Sequence, residues 1–172
     1  MTLSINHSEL TYKTPKIEGI DDALELLKEA ANRLKSKGFT QWSYWLDPPA
    51  ERMQWLKEGF EDAEFTFIYQ DDNLIGMYRL MVQDLKYWGL QTTPAFYLHS
   101  LVVSSEYSGL QIGSTLIYTI EKQAIDRGIH LLRLDCDAGN HALCRYYEKL
   151  SFKKVGQIQM PLSLNNLYEK EL

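Results

Sequence analysis

Cysteine is scarce in this sequence, and long apolar runs are absent from it. The chain of 172 residues has two cysteines, Cys136 and Cys144, which are too few for a disulfide framework. Their spacing to the four histidines matches no metal-ligand pattern, so we expect buried, reduced thiols and no bound metal. Residues 1–20 are polar, and no apolar segment approaches the roughly 20 residues of a membrane span. We therefore expect a cytoplasmic protein without a membrane partner.

Positive charge is also in short supply. The chain has 18 basic and 23 acidic residues, which leaves a net charge of −5. A nucleic-acid binder needs a concentrated cationic face that displaces counterions from phosphates, and no run of Lys or Arg supplies one. We therefore expect no nucleic-acid partner. Because 45% of the residues are apolar, and no repeat or linker divides the chain, residues 1–172 are predicted to fold as one domain.

Hydrophobic periodicity and turn residues predict an alternation of helices and strands. Helices are predicted over 21–37, after Asp47, over 111–127 and over 140–150. Strands are predicted near 10–16 and over 65–69, 74–82, 95–103, 131–136, 152–159 and 167–172. The resulting order, β-α-α-β-β-β-α-β-α-β-β, indicates a mixed α/β (α+β) layered domain.

A glycine-containing loop runs directly into the helix predicted at residue 111. Its residues are Ser108, Gly109, Leu110, Gln111, Ile112, Gly113 and Ser114. A helix N-terminus offers unpaired N–H groups to phosphate oxygens, and glycine lets the backbone approach a ligand closely. The loop lacks both the Gly-Lys-Ser/Thr ending of a P-loop and the G-x-G-x-x-G pattern of a dinucleotide site. Taken alone, it is better explained as a tight strand-to-helix turn.

Three motifs within residues 98–152 change this interpretation, because together they resemble the GCN5-related N-acetyltransferase (GNAT) family. The motifs are Leu101-Val102-Val103, Glu106-Tyr107-x-Gly109-x-x-Ile112-Gly113, and Asn140 followed by Tyr147-Glu148-Lys149-Leu150-x-Phe152. The resemblance implies a mixed, mostly antiparallel central sheet flanked by helices, with splayed central strands. It also implies acetyl-CoA as the acetyl donor. Leu101, Val102 and Val103 would then bind the pantetheine arm, Ser108 to Ser114 the pyrophosphate, and Asn140 would contact the same molecule.

The sequence departs from the family pattern at three positions. Ser108 stands where the family loop usually has arginine or glutamine, which removes a partner for phosphate. Gln111 replaces a glycine and places a Cβ where the backbone comes closest to the ligand. Ser151 replaces the glycine that usually precedes Phe152. These departures leave the implied fold unchanged and leave open whether the loop binds acetyl-CoA more weakly.

Tyr147 occupies the position at which the family places its general acid. Acetyl transfer needs such an acid because the departing CoA thiolate must take up a proton. Tyr147 shares a helical face with Leu143, Tyr146 and Leu150, so core packing is the alternative, and Tyr146 is interpreted as packing. Asn140 is in addition a residue type that favours helix N-caps, which does not exclude a contact with acetyl-CoA.

His99 is the candidate base, since many family members carry a glutamate two positions before the residue equivalent to Leu101. A histidine that titrates near pH 6.5 accepts protons at physiological pH. Strand alternation predicts His99, Leu101 and Val103 on one face. A core histidine with a neighbouring hydrogen-bond partner, or a water relay as the base, stays open. The other histidines are interpreted as solvated or local: His7, His130 and His141.

The sequence thus predicts an acetyl-CoA-dependent N-acetyltransferase that acts by direct transfer to a primary amine of a small molecule in a ternary complex. Two alternatives are a catalytically silent acyl-CoA-binding sensor module and an acetyltransferase for a protein N-terminus or lysine. An aromatic cluster is typical of core or dimer contacts, and less often of a cation-binding wall; its members are Trp42, Tyr44, Trp45 and Trp88. A homodimer therefore stays open, and the negative net charge favours a cationic acceptor through weak steering.

Overall fold

The structure, a computed structural model, describes residues 9–172. Within that range, seven strands form one sheet in the order β1-β2-β3-β4-β5-β7-β6. The strands are β1 (Thr11–Lys13), β2 (Phe65–Gln70), β3 (Asn73–Met81), β4 (Phe96–Val103), β5 (Leu131–Asp137), β6 (Lys153–Gln159) and β7 (Leu164–Glu171). The α-helices are α1 (Ile20–Ser36), α2 (Ala50–Glu61), α3 (Leu85–Trp88), α4 (Ile112–Asp126) and α5 (His141–Lys149). His7 lies outside the described residues.

The predicted order of strands and α-helices is confirmed, with one addition. The first strand, predicted near 10–16, is shorter and spans Thr11–Lys13. The addition is α3, a single turn in the connection between β3 and β4. Asp84 caps this turn, because its Oδ1 accepts a hydrogen bond of 3.2 Å from the backbone N–H of Tyr87. The last strand begins at Leu164 rather than at residue 167.

Two apolar clusters cover the two faces of the sheet. The α1–α2 cluster packs the apolar stripe of α1 (Ala23, Leu26, Leu27 and Ala30) against α2 and one face of the sheet. The α4–α5 cluster does the same on the other face with α4 and α5. Each helix presents apolar residues at spacings of three and four, which places them in one stripe. The result is the helix–sheet–helix layering that the sequence predicts.

The two central strands separate along most of their length. Parallel β4 and β5 are paired at Phe96↔Leu132 and Tyr97↔Arg133, whereas β4 continues to Val103 and β5 to Asp137. All other strand pairs in the described sheet are antiparallel. The predicted splay is therefore confirmed, and it leaves backbone N–H and C=O groups of both strands facing a groove, where they need other partners.

A bulge at Ser100 bends β4 just before this groove. Ser100 has a φ of +52°, and the register with β3 shifts between Met77 and Arg79. The neighbouring strand accommodates the bend at Gly76, where a Cβ would lie 2.5 Å from the carbonyl oxygen of Val102. The extra residue of a bulge reverses the alternation of side chains beyond it.

The bulge makes one sequence prediction wrong, the placement of His99, Leu101 and Val103 on one face. Leu101 and Val103 pack against the α4–α5 cluster. His99 instead lies on the opposite side, where its ring centroid is 6.1 Å from that of Trp55, a residue packed against the α1–α2 cluster. Strict period-two counting fails here because Ser100 takes a left-handed conformation that no local sequence signal announces.

Candidate active site

A cavity of about 970 Å³ opens where β4 and β5 separate. One end, which we call the loop end, lies against residues 107–109 and 111–113, the end of β4, and the start of α5 at Asn140. The other, the aromatic end, lies against α2, α3 and the connection between α1 and α2. Both His99 and Tyr147 line this one cavity, so the two predicted catalytic side chains share a single space.

Most of the predicted cofactor-binding residues line the loop end. They are Leu101, Val102, Val103, Ser108, Gly109, Gln111, Ile112, Gly113 and Asn140. Leu110 and Ser114 do not line the cavity. Leu110 is 44% exposed, and the Ser114 hydroxyl donates a 2.8 Å hydrogen bond to the carbonyl oxygen of Gln111.

The loop adopts a tight left-handed turn even though it lacks a glycine at Gln111. Gln111 has a φ of +58° and is the N-cap of α4, without a side-chain hydrogen bond of its own. Gly109 has a φ of +79°. A non-glycine residue in this region costs roughly 1 kcal/mol. The first N–H groups of α4, which have no side-chain cap, therefore remain available to an anion at the loop end.

Helix α1 supplies positive charge to the loop end. Arg33 and Lys37 both line the cavity, and a spacing of four places them on one helical face. Arg33 Nη2 donates a 2.8 Å hydrogen bond to the carbonyl oxygen of Val103, which holds the guanidinium beside the end of β4. The buried Nε of Arg33 has no hydrogen-bond partner among residues 9–172. Sequence analysis missed both cations, although their spacing on α1 is a signal that was present.

The acid candidate Tyr147 is buried at the junction of α5 with the sheet. Its side chain is 8% exposed, and its ring packs against Phe152 and Tyr168, with centroids 5.8 and 6.2 Å away. Burial raises the pKa of Tyr147 far above its ordinary value, so the hydroxyl keeps its proton at neutral pH. Tyr146, interpreted from the sequence as packing, also lines the cavity.

Asn140 begins α5 as its N-cap. Its Oδ1 accepts a 3.2 Å hydrogen bond from the backbone N–H of Leu143, which satisfies one of the unpaired donors of the first turn. Asn140 is buried and lines the cavity as well. The capping role and a contact with a ligand are therefore compatible.

His99 lies between two carboxylates that sequence analysis missed. Its Nε2 is 2.7 Å from Asp84 Oδ2, and its Nδ1 is 3.9 Å from Asp135 Oδ1. Burial opposes the charged imidazole, but the hydrogen bond to Asp84 and the charge of Asp135 together raise the pKa of His99. Burial also raises the pKa of Asp135, whose Oδ2 accepts a 2.7 Å hydrogen bond from Asn165. This cluster can hold and exchange a proton at the wall of the cavity.

Aromatic rings surround His99 at the aromatic end. The ring centroid of Tyr87 is 5.3 Å and that of Trp55 is 6.1 Å from the His99 ring. Three of the four predicted aromatic residues also line the cavity: Trp42, Tyr44 and Trp45. Trp88 does not; it packs against Tyr97, with centroids 5.9 Å apart. Trp45 is a buried member of the α1–α2 cluster, and Trp42 and Tyr44 pack against it, so these rings are core residues that also form the cavity wall. Sequence analysis missed two further rings of this wall, Trp55 and Tyr87.

Within residues 9–172, the two cysteines form neither a disulfide nor a metal site. Cys136 and Cys144 are free and buried, as predicted, with their sulfur atoms 3.8 Å apart. Among the described residues, no group of three or more His, Cys, Asp or Glu side chains has the arrangement of a metal site. In the same part of the chain, no helix is long and apolar enough to cross a membrane.

Comparison with known proteins identifies the family. A sequence model of the acetyltransferase (GNAT) family matches residues 24–152. The chain belongs to the GNAT family. It is 26% identical to the uncharacterized N-acetyltransferase YesJ of Bacillus subtilis (strain 168), over 94% of this chain and 90% of that protein.

Solved GNAT structures share the fold. A GNAT-family acetyltransferase from Listeria monocytogenes 4b F2365 superimposes with a TM-score of 0.78 at 26% identity, over 97% of both chains. The PaiA N-acetyltransferase of Thermoplasma acidophilum, solved in complex with coenzyme A, superimposes with a TM-score of 0.64 at 20% identity, over 95% of this chain and 99% of that one. At 20% identity, that second likeness concerns the fold alone. The splayed β4 and β5 of this chain are thus part of a GNAT fold.

Proposed function

We propose that the protein is an acetyl-CoA-dependent N-acetyltransferase that acts on the primary amine of a small molecule by direct transfer. The observation that carries the proposal is the single cavity that connects the loop end with the His99 cluster. A thioester bound at the loop end and an amine bound at His99 lie in the same cavity, so the amine can attack the thioester directly, without a covalent enzyme intermediate. The His99 cluster also favours an enzyme over the catalytically silent acyl-CoA-binding module, because a protein that only binds acyl-CoA needs no buried proton acceptor.

The loop end is proposed to bind the acetyl donor. Leu101, Val102 and Val103 would bind its pantetheine arm through the backbone groups that the splay leaves unpaired. The pyrophosphate would lie at the cavity-lining residues before and within the first turn of α4, with Asn140 as a further contact: Ser108, Gly109, Gln111, Ile112 and Gly113. Leu110 and Ser114 are left out of the proposal, because they do not line the cavity. Arg33 and Lys37 supply the positive charge that Ser108 does not.

His99 is proposed to accept the proton of the acceptor ammonium. Because Nε2 is engaged with Asp84, Nδ1 is the nitrogen that takes the proton, directly or through a water. Asp84 positions the ring, while Asp135 stabilises the imidazolium that forms. The raised pKa makes His99 a stronger base, but it also means that the free imidazole is present only at higher pH than for an ordinary histidine.

Tyr147 is proposed to complete the transfer as the general acid. The amine nitrogen forms a bond to the carbonyl carbon of the thioester, and the carbon–sulfur bond breaks. The departing thiolate then takes the hydroxyl proton of Tyr147, and the second proton that the nitrogen loses as it becomes an amide restores the hydroxyl of Tyr147. Since burial keeps that hydroxyl protonated at neutral pH, the acid is in the required state when the thiolate forms.

The test is a calorimetric titration with acetyl-CoA combined with a CoA-release assay against a panel of amines. Binding together with amine-dependent release supports the enzyme. Tight binding without release on any amine, peptide or antibiotic favours the sensor module instead. A mass shift on an added protein, without turnover of free amines, would indicate an acetyltransferase for a protein N-terminus or lysine. One domain over residues 1–172 and a cytoplasmic location stay predictions.

A further inference from the structure

We propose that the acceptor carries a carboxylate several bonds from its primary amine, and that Arg52 binds this carboxylate. The inference deepens the proposed function and rests on it, since it concerns the acceptor of the same reaction. It assigns Arg52 as a specificity-determining residue at the aromatic end of the cavity.

Arg52 is held in the cavity by aromatic rings. It lies in the first turn of α2 and lines the cavity, and its guanidinium carbon is 4.0 Å from the ring centroid of Tyr44. The Tyr87 side chain, which lines the same cavity, is near enough for the charge of Arg52 to lower the pKa that burial raises. A guanidinium stacked on an aromatic face keeps its N–H edge free for a planar anion, which it binds through two parallel hydrogen bonds.

Arg52 of α2 lacks the carboxylate partner that Arg79 and Arg133, the two arginines in the sheet, both have. Arg79 forms an ion pair with Glu64, and Arg133 Nε is 2.7 Å from Glu169 Oε2. No carboxylate among residues 9–172 lies within 4.0 Å of Arg52. The charge of Arg52 acts on Asp135 and Glu51 at longer range, but neither carboxylate is its ion-pair partner, so the guanidinium N–H groups can bind the carboxylate of a ligand.

The aromatic end of the cavity therefore has charges of both signs in two places, which we call its poles. The pole at His99 contains the carboxylates Asp84 and Asp135 and suits an ammonium group, whereas the pole at Arg52 is cationic. The Tyr87 side chain is a neighbour of both poles: its ring centroid is 5.3 Å from that of His99, and the charge of Arg52 acts on its hydroxyl. An acceptor with its amine at His99 and its carboxylate at Arg52 would extend past the Tyr87 ring, so we place several bonds between the two groups. An ω-amino acid meets this requirement.

The charges at the aromatic end say more about the acceptor than the net charge of the chain does. The value of −5 for the whole chain favours a cationic acceptor only through weak, long-range steering. Arg52 and the Asp84–His99–Asp135 cluster act at contact distance instead, where ion pairs discriminate more strongly. The local charges therefore favour an acceptor that carries both signs.

The experiment compares 6-aminohexanoate with n-hexylamine, which has the same chain length but no carboxylate. Both are assayed with the wild type, with Arg52→Gln, and with Lys57→Gln as the control. Lys57 lies on the same helix, is exposed and does not line the cavity. Arg52→Gln is expected to raise KM for 6-aminohexanoate by about 10- to 100-fold, the worth of a charge-assisted bidentate contact. Its KM for n-hexylamine, and both values for Lys57→Gln, are expected to stay within about 2-fold.

Two kinetic results would overturn the inference. One is a wild type that uses n-hexylamine as well as 6-aminohexanoate. The other is an equal loss on both acceptors in Arg52→Gln, which would mean that Arg52 only balances the charge of the His99 cluster.

If the wild type turns over neither acceptor, binding separates this inference from the proposed function. The CoA-loaded protein is then titrated with 6-acetamidohexanoate and with N-hexylacetamide. Preferential binding of the acid that is lost in Arg52→Gln supports the carboxylate site while the proposed catalysis fails. Equal binding of the two compounds, or no binding of either, overturns the carboxylate site.

Discussion

The loop end and the aromatic end of the cavity are built in different ways. The loop end uses backbone groups of consecutive residues in β4, the loop and the start of α4, together with α5. The aromatic end is assembled from side chains of α2, α3, β4 and β5, which lie far apart in the chain. A donor that a whole family shares can be bound by a backbone arrangement that the fold itself provides. The acceptor is selected by side chains, which can be substituted without a change of fold.

The largest effect is expected at Tyr147, the proposed acid, which lines the cavity. Tyr147→Phe removes the proposed acid and is expected to lower kcat by about 100-fold or more, the usual worth of general acid catalysis. The Kd for acetyl-CoA should stay within about 3-fold, because the hydroxyl is proposed to act on the leaving group and not in binding. The measurements are CoA release and calorimetry.

Tyr146→Phe is the matched control for this variant. Tyr146 is the neighbouring tyrosine that also lines the cavity. An equal loss of kcat in both variants, or an unchanged kcat in Tyr147→Phe, would remove Tyr147 from the mechanism.

The second effect concerns the aromatic end and its pH dependence. If His99 is the base, activity falls as the pH drops below its pKa, which Asp84 and Asp135 raise. Asp84→Asn removes one carboxylate, which lowers the pKa of His99, so the acidic limb of the pH–rate profile should move to lower pH. Asparagine can keep the cap of α3 at the Tyr87 N–H.

His99→Ala provides the companion measurement. It should flatten the acidic limb, and in both variants the Kd for acetyl-CoA should be unchanged, because the substitutions lie at the acceptor end. An acidic limb that is the same in the wild type and in His99→Ala would reassign His99 to a structural role.

The third effect concerns the loop end. Arg33→Ala is expected to weaken acetyl-CoA binding by about 10-fold, since a charge-assisted hydrogen bond is lost. Ser108→Arg, which restores the basic residue of the family loop, should tighten it. Calorimetry at two salt concentrations measures both changes, and the effect of Arg33→Ala should shrink at high salt. An unchanged Kd in Arg33→Ala would show that this arginine only donates its hydrogen bond to the carbonyl oxygen of Val103 and does not bind acetyl-CoA.

The smallest effect concerns stability outside both ends. Ser151 follows α5 with a φ of +71°, a conformation that glycine adopts without strain. Ser151→Gly is expected to raise the free energy of unfolding by about 0.5–1 kcal/mol, with no change in the Kd for acetyl-CoA. Thermal unfolding measures the first quantity. A destabilised variant would mean that the serine side chain contributes more than its backbone strain costs.

The same contrast explains what could be predicted from the sequence. The loop end could be predicted because its sequence signals are local. They are the glycines before a helix, an N-cap residue at Asn140, and the sequence spacing from Asn140 to Tyr147. The layered fold follows from the periodicity of the apolar residues.

The aromatic end was only partly predictable. Trp42 and Tyr44 belong to a cluster of aromatic residues that is visible in the sequence. Asp84, Asp135 and Arg52 lie far apart in the sequence, and only the fold brings them to the site. The bulge at Ser100 also escaped prediction, because its left-handed residue is not a glycine. The partner that permits the bulge, Gly76, lies on another strand, so no local pattern links the two.

Direct transfer within one cavity is tested most directly by initial rates measured over a matrix of acetyl-CoA and amine concentrations, with 6-aminohexanoate as the amine. A ternary complex predicts intersecting lines in the double-reciprocal plot, one CoA released per amine acetylated, and no acetyl group on the protein after incubation with acetyl-CoA alone. Parallel lines with an acetylated protein, or no amine-dependent release of CoA from any acceptor, would contradict the account.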